Sequence, residues 1–229
     1  MAAVKTIKIE ESIFADNDAS AKAVREMLTS HHTTMLNVMS APGSGKTTLL
    51  TAVIGRLSGE MKIRVMDVDI ESTLDAQRVA DATGVEALQI HNGGLCHIDA
   101  DMVSRALSDF APEDSGILDD TDLLILENIG NLVCPAEFDT GAAIKMTILS
   151  VPEGDDKPAK YPLMYEECDI MAVNKIDTLP VFDFDKEKAE QYAKYRNPDI
   201  RIFYISARTG EGIESLAEEI ITRVQDWNA

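Results

Sequence analysis

Cys96 and His97 stand side by side in GGLCHIDADMV, residues 93–103, and Cys134 follows in ENIGNLVCPAEFD. A thiolate, an imidazole and a carboxylate, here Asp101 four residues after His97, form a donor set that suits Zn²⁺ or Ni²⁺. The pattern predicts a helix over roughly 97–109, which would bring Asp101 beneath His97 on one face. Spacing alone also allows an inert Cys-His dipeptide.

A second chemistry is written in SAPGSGKTT, residues 40–48, which follows an apolar strand and opens an apolar helix. This is the phosphate-binding pattern GxxxxGK[ST], with Ser40 in place of the leading glycine. Backbone N–H groups of Gly43, Ser44, Gly45 and Lys46 are expected to cradle phosphates at the helix N-terminus. Lys46 would reach the β and γ oxygens, Thr47 would ligate Mg²⁺, and the nucleotide-binding segment runs on to Thr48.

Far downstream, NKID at 174–177 follows another apolar strand. Four such residues recur by chance, but after a strand in a chain with a phosphate loop they point to guanine. Asp177 can accept from the N1–H and the exocyclic amine of that base, a donor pair that adenine lacks. Asn174 would fix the loop and the Lys175 stem would cover the ring. RIFYISARTG then puts Ser206 and Ala207 where a backbone N–H could read the guanine O6. The expected activity is Mg²⁺-dependent hydrolysis of GTP to GDP and phosphate.

Acidic residues for that reaction lie at strand ends, where carboxylates face the ligand crevice. Asp67 and Asp69 end one strand and Glu127 ends LLILE. Asp69 and Glu127 are the candidates for the Mg²⁺ shell, and Lys46, Asp69, Asp75 and Glu127 form the candidate catalytic set. Asp75 either orients the attacking water or caps a helix.

These residues need a scaffold that gathers strand ends. Apolar runs alternate with amphipathic stretches, which predicts strands at 35–41, 62–68, 86–90, 122–127, 145–151, 169–174 and 201–207. Helices are expected at roughly 18–30, 45–58, 73–83, 97–109, 185–196 and 212–226, and a loop at 152–161. The fold class is α/β: a three-layer P-loop NTPase fold with a mostly parallel sheet of about seven strands flanked by helices. With 229 residues, 45% of them hydrophobic, the reading is a single GTPase domain over 1–229, in which 1–34 is an N-terminal helical extension.

A net charge of −19 argues against nucleic acid as a partner. Cys96, Cys134 and Cys168 are too few and too scattered for a disulfide framework. The apolar runs have strand length, so no membrane span is expected. MAAVKTIKIEES shows no long apolar h-region, and the expected location is cytoplasmic.

From about Met35 to Glu219 the chain resembles the hydrogenase nickel-incorporation GTPases, the HypB family of the SIMIBI class. The likeness rests on NVMSAPGSGKTTLL, LDAQRVADATGVEALQI, CHIDADMV, ENIGNLVCPAEFDTG, LSVPEGDDKPAKYPL, NKIDTLP and NPDIRIFYISARTGEGI. The cysteine after ENIGNLV is the most specific of these. The related urease-nickel GTPases carry CPH as their metal motif, which this chain lacks.

The resemblance implies a GTPase that forms a homodimer when GTP is bound and holds metal at the subunit junction. Cys96, His97 and Cys134 would be the Ni²⁺ or Zn²⁺ ligands, with Asp101 where family members often carry histidine. Lys160, in KYP, matches a family lysine linked to contact across the GTP dimer, or is a solvated loop lysine. The implied role is that of a metallochaperone supporting nickel insertion into [NiFe]-hydrogenase, with hydrogenase maturation proteins as partners. A nucleotide-gated nickel or zinc store or regulator is the other reading.

Departures from the family pattern are HNGGLCH in place of NTGKGCH, and residues 1–34 without the cysteine motif or histidine-rich tract of many members. His31 and His32 read as a helix end. His91 reads as a loop histidine, Cys168 as a core thiol and Trp227 as an anchor for the last helix.

Overall fold

The computed structural model describes residues 10–69 and 74–229, apart from the side chains of 10–15, 74, 75 and 114. Its strands are β1 (Thr34–Ser40), β2 (Ile63–Asp69), β3 (Glu86–His91), β4 (Leu123–Gly130), β5 (Ile144–Ser150), β6 (Ile170–Asn174) and β7 (Arg201–Tyr204). The helices are α1 (Glu10–Ser30), α2 (Lys46–Leu57), α3 (Leu74–Thr83), α4 (Ala100–Phe110), α5 (Cys134–Glu137), α6 (Lys157–Lys160), α7 (Pro162–Glu166), α8 (Lys186–Arg196) and α9 (Ile213–Trp227). The strands pair in the order β3-β2-β4-β1-β5-β6-β7, and every pairing is parallel.

Parallel strands covered on both faces must be apolar on both faces, and the central ones are. All seven residues of β1 are buried. Leu36 and Val38 pack with Leu49, Val53 and Ile54 of α2 and with α9. On the other face Met35 joins Leu124 and Leu126 of β4, with Val24 and Leu28 of α1 and Val103 and Leu107 of α4. A third cluster joins Met39, Leu149, Met171 and Val173 to Tyr165 of α7 and Ala189 and Ala193 of α8.

Register lines up the strand ends that carry chemistry. Asp67 on β2 and Val38 on β1 both stand opposite Glu127 of β4. Asp69 pairs with His91, and Ser150 with Asn174. Beyond Val38 the β1–β4 register shifts, and Ser40 pairs with Gly130. A Cβ on Gly130 would lie 3.0 Å from Pro42 Cα, so the end of β4 sits tight against the phosphate loop.

Two expectations need correction. Residues 97–109 were to be helical from His97, but α4 starts at Ala100, because Asp99 is its N-cap and accepts from Met102 N at 2.8 Å. His97 therefore precedes the helix, and Asp101 does not lie beneath it. Asp101 instead forms an ion pair with Arg105, four residues on. The stretch 152–161 is not plain loop: Ser150 N and Oγ both donate to Glu153 Oε2 (2.8 and 2.6 Å) around a 3₁₀ turn, and α6 follows at Lys157–Lys160.

Helix α1 lies against the sheet so closely that a Cβ on Gly141, which has φ +83°, would approach Ala21 O and Val24 Cβ to 2.8 Å. Gly141→Ala should therefore destabilise the fold by about 2–4 kcal/mol. Urea titration checks this; wild-type stability would mean that α1 is not docked there.

Candidate functional site

The phosphate loop turns on two left-handed glycines, Gly43 (φ 76°) and Gly45 (φ 96°), the second being the N-cap of α2. Ser40 holds the loop together. Its buried hydroxyl donates to Ala41 O (2.9 Å) and accepts from Ser44 Oγ (2.7 Å) and Lys46 Nζ (3.1 Å), which uses its full bonding capacity. Across the cleft Thr47 Oγ1 donates to Glu127 Oε1 at 3.1 Å. The cleft has a volume of about 820 Å³, and Lys46, Thr47, Asp67, Asp69, Arg78 and Glu127 are among its lining residues. Asp67 and Glu127 are each 3% exposed. Buried carboxylates beside an ammonium and a hydroxyl form a hard oxygen donor set that fits Mg²⁺. The Asp75 side chain lies outside the described residues; its backbone is in the first turn of α3. Arg78 was not apparent in the sequence, where it reads as one more polar residue of an amphipathic helix.

A second cleft of about 400 Å³ adjoins the first, and Gly45, Thr48 and Ala207 line both. Asn174, 1% exposed, ties the two together. Its Nδ2 donates to Ser44 O at 3.0 Å, while Oδ1 accepts from Lys175 N (2.7 Å) and Ala207 N (3.1 Å). Lys175, itself left-handed at φ 62°, donates through Nζ to Gly43 O at 2.6 Å. Asp177 accepts from Ser206 Oγ at 2.7 Å, with Arg208 Nη1 3.9 Å from its other oxygen.

One expectation changes here. Ser206 N already donates to Glu211 O (2.9 Å) and Ala207 N to Asn174 Oδ1. Reading a guanine O6 through Ala207 N–H therefore requires that bond to be shared with the base or given up. The Ser206 N–H is engaged in its bond to Glu211 O, and the Ser206 hydroxyl donates to Asp177 Oδ1.

The thiol site lies beyond β3 and β4, with Cys96 in a bend before α4 and Cys134 opening the short helix α5. Cys96 Sγ donates to Cys134 Sγ at 3.0 Å and lies 3.8 Å from His97 Nδ1. The shared hydrogen bond, and after it burial, push the Cys96 thiol above its usual range, so a metal ion must displace a proton to bind. The His97 ring stacks on Phe138, with centroids 3.9 Å apart and planes 9° from parallel. Nothing in the sequence marked Phe138, because the stack depends on a contact between distant segments. Asn131 Nδ2 donates to Cys96 O (3.3 Å), and Asn92 Nδ2 to Leu95 O (2.7 Å) and His97 O (3.0 Å). Among the described residues of one chain, no group of three or more His, Cys, Asp or Glu side chains closes into a metal site. One chain brings the two thiols and the neighbouring imidazole together.

Other singled-out residues lie elsewhere. Lys160 is ion-paired with Asp156 at 2.6 Å on α6, and His31 Nδ1 lies 2.7 Å from Asp119 Oδ1. His91 ends β3, so it belongs to a strand and not to a loop. Cys168 is buried in the third core cluster, and burial pushes its thiol up. Trp227 remains 37% exposed, a weaker anchor than expected. Among the described residues no helix is long and apolar enough to cross a membrane.

A Cβ on Gly45 would lie 2.8 Å from Nδ2 of the Asn174 carboxamide, a group that three hydrogen bonds hold in place, one through Nδ2 and two through Oδ1. Gly45→Ala should weaken nucleotide binding by about 2 kcal/mol, or about thirtyfold, in a fluorescent-nucleotide titration. Unchanged affinity would show that the two clefts are not locked together through this contact.

Comparison with known proteins agrees with this geometry. The family model CobW/HypB/UreG, nucleotide-binding domain, matches residues 34–204. The hydrogenase maturation factor HypB of Azotobacter chroococcum mcd 1 is 46% identical over 209 residues, 91% of this chain; the chain spans 66% of that relative's length. The crystal structure of HypB from Helicobacter pylori in complex with nickel superposes with a TM-score of 0.85 at 35% identity, covering 92% of this chain and 96% of that one. HypB from Archaeoglobus fulgidus gives 0.82 at 36% identity, covering 92% and 99%. With its phosphate loop, its seven parallel strands and its thiol pair in these positions, the chain belongs to the CobW/HypB/UreG family of nucleotide-binding domains.

Proposed function

We propose that this protein is a GTP-hydrolysing metallochaperone. It binds nickel, or zinc in its place, through Cys96, His97 and Cys134, supports nickel insertion into [NiFe]-hydrogenase, and gates its metal site by GTP-dependent dimerisation. One observation carries the reading: β4 bears Glu127, bonded to Thr47 of the phosphate loop, and the turn after it bears Cys134, 3.0 Å from Cys96. The names of the HypB relatives and the nickel in the Helicobacter pylori structure support it.

In this reading the amides of Gly43 to Lys46 bind the phosphates, Lys46 neutralises their β and γ oxygens, and Asp177 selects guanine. Thr47, Asp69 and Glu127 would hold Mg²⁺, which when bound supplies positive charge to the β and γ oxygens. Asp75 orients the attacking water. A γ-phosphate draws Thr47 away from Glu127, and the strain passes along β4 to the Cys134 turn and, through Asn131, to Cys96. The described residues of one chain bring together only Cys96, His97 and Cys134, and in this reading two chains facing one another complete the site. Lys160 contributes to that contact after releasing Asp156. Hydrolysis loosens the dimer and the ion passes to an acceptor.

Linkage requires metal and nucleotide to alter each other's affinity equally. Titration with Ni²⁺, followed by nickel-thiolate charge-transfer absorption, should give at least about tenfold different affinities with GDP and with a non-hydrolysable GTP analogue, a coupling of about 1.4 kcal/mol. The band should vanish in Cys134→Ala. Equal affinities in the two states would sink the gate, and transfer of bound ⁶³Ni to apo-hydrogenase separates a chaperone from a store. Asp177→Asn, which can donate as well as accept, should shift the base preference from guanine toward xanthine; retained GTP preference would remove Asp177 from base reading.

A further inference from the structure

Helix α1 reaches both halves of the thiol site through one side chain. Asn17 is 8% exposed, and its two carboxamide ends have different partners. Nδ2 donates to Asp139 O at 3.0 Å, and Oδ1 accepts from Ala100 N at 3.0 Å. Ala100 is three residues past His97, and Asp139 is five past Cys134. The two segments that carry the thiols are thus pinned to a common point on their C-terminal sides, while Asn131 joins them at Cys96 O on the other.

Each bond also does local work. Ala100 N belongs to the first turn of α4, where amides lack helical partners; Asp99 serves Met102 N and Asn17 serves Ala100 N. At the other end Asp139 is held by Arg25 of α1 (Nη2 to Oδ2, 2.7 Å) and accepts from Gly141 N (3.0 Å). Directly before Asp139 comes Phe138, whose ring covers His97. A shift of α1 therefore changes the separation of the sulfurs and the seat of the imidazole together.

We propose that Asn17 is a positioning residue for the Cys96, His97 and Cys134 site, and that α1 is part of the scaffold of that site. The inference rests on reading the thiol pair as the metal site. Neither bond is local: Asn17 lies 122 residues from Asp139 and 83 from Ala100. Partners bonded directly to ligands alter metal affinity by about 10- to 100-fold when removed, and Asn17, which acts one step further out through the backbone of both segments, belongs at the lower end of that range.

Asn17→Ala and Asn17→Asp are compared with the wild-type full chain and with Cys134→Ala. The aspartate variant retains an acceptor for Ala100 N–H and loses the donor to Asp139 O. Three quantities are measured: GDP affinity, Ni²⁺ affinity from the nickel-thiolate absorption, and the rate at which dibromobimane bridges two thiols. In that bridging each thiolate displaces one bromide, and fluorescence reports the doubly alkylated product without any metal. The expected result is bridging slowed at least fivefold and nickel affinity lowered about tenfold in Asn17→Ala, smaller losses in Asn17→Asp, and GDP affinity within twofold of wild type. Unchanged bridging in variants that bind GDP overturns the proposal. So does a parallel loss of GDP binding and bridging in both variants, which would make Asn17 a general stabilising residue. If the wild type shows no Cys134-dependent nickel band while Asn17→Ala still slows bridging, the metal reading fails and the positioning of the thiols by Asn17 stands.

Discussion

Glu127 is a carboxylate with 3% exposure inside a central strand, which runs on three residues beyond it to Gly130, and the hydrogen bond from Thr47 joins it to the phosphate loop. A carboxylate so buried is costly unless donors meet it, and leaving a buried polar group without its hydrogen-bond partner typically costs about 1–3 kcal/mol. The cleft around Glu127 is arranged accordingly, with the ammonium of Lys46 and the guanidinium of Arg78 in the same lining. Because β4 lies between β2 and β1, any adjustment at Glu127 is constrained by two ladders. Pairing to β1 ends at Gly130, and Cys134 opens the short helix α5 four residues further on.

The nucleotide cleft depends on a second constraint, the carboxamide of Asn174. It gathers the Ser44 carbonyl and the Lys175 and Ala207 amides at one point, so three loops from β1, β6 and β7 share a single frame. Each neutral hydrogen bond contributes only about 1 kcal/mol net, but an unsatisfied buried amide would cost more than that. Gly45, left-handed, stands where a Cβ would meet that carboxamide at 2.8 Å, and Lys175 beside Asn174 is left-handed as well. The two adjoining clefts are one mechanical unit, although 130 residues separate Ser44 from Asn174.

The central strands were legible because burial on both faces leaves little room for polar interruption, and the half-exposed edge strands β3 and β7 because each is a short apolar stretch bounded by loop-forming residues. The phosphate loop and NKID could be read for a related reason: backbone geometry dictates their residue types locally. The start of α4 was misplaced because CHIDAD has no breaker after its glycines, and only the side chain of Asp99 shows which residue caps the helix. Phe138, Arg78 and Asn17 were missed because their contributions depend on partners in distant segments. Asn17 is the clearest case, since in the sequence it is one polar residue within EESIFADNDAS and its partners are named only by the packing of α1. The short helices α5, α6 and α7 are each five residues or fewer and carry no periodicity to detect.

Ser40 occupies the position where the phosphate-loop pattern has glycine, and its hydroxyl gives the Lys46 ammonium a fixed resting place. In a flexible loop that cation would have to be gathered from many rotamers whenever phosphate arrived, at up to about 2 kcal/mol for a lysine side chain. Here much of that ordering is completed during folding, together with the Ser44 contact. Ligand arrival and departure then exchange one partner of Lys46 for another without melting the loop. The receptor for phosphate is preorganised, and affinity reflects the phosphate contacts themselves more than the entropy of assembling them.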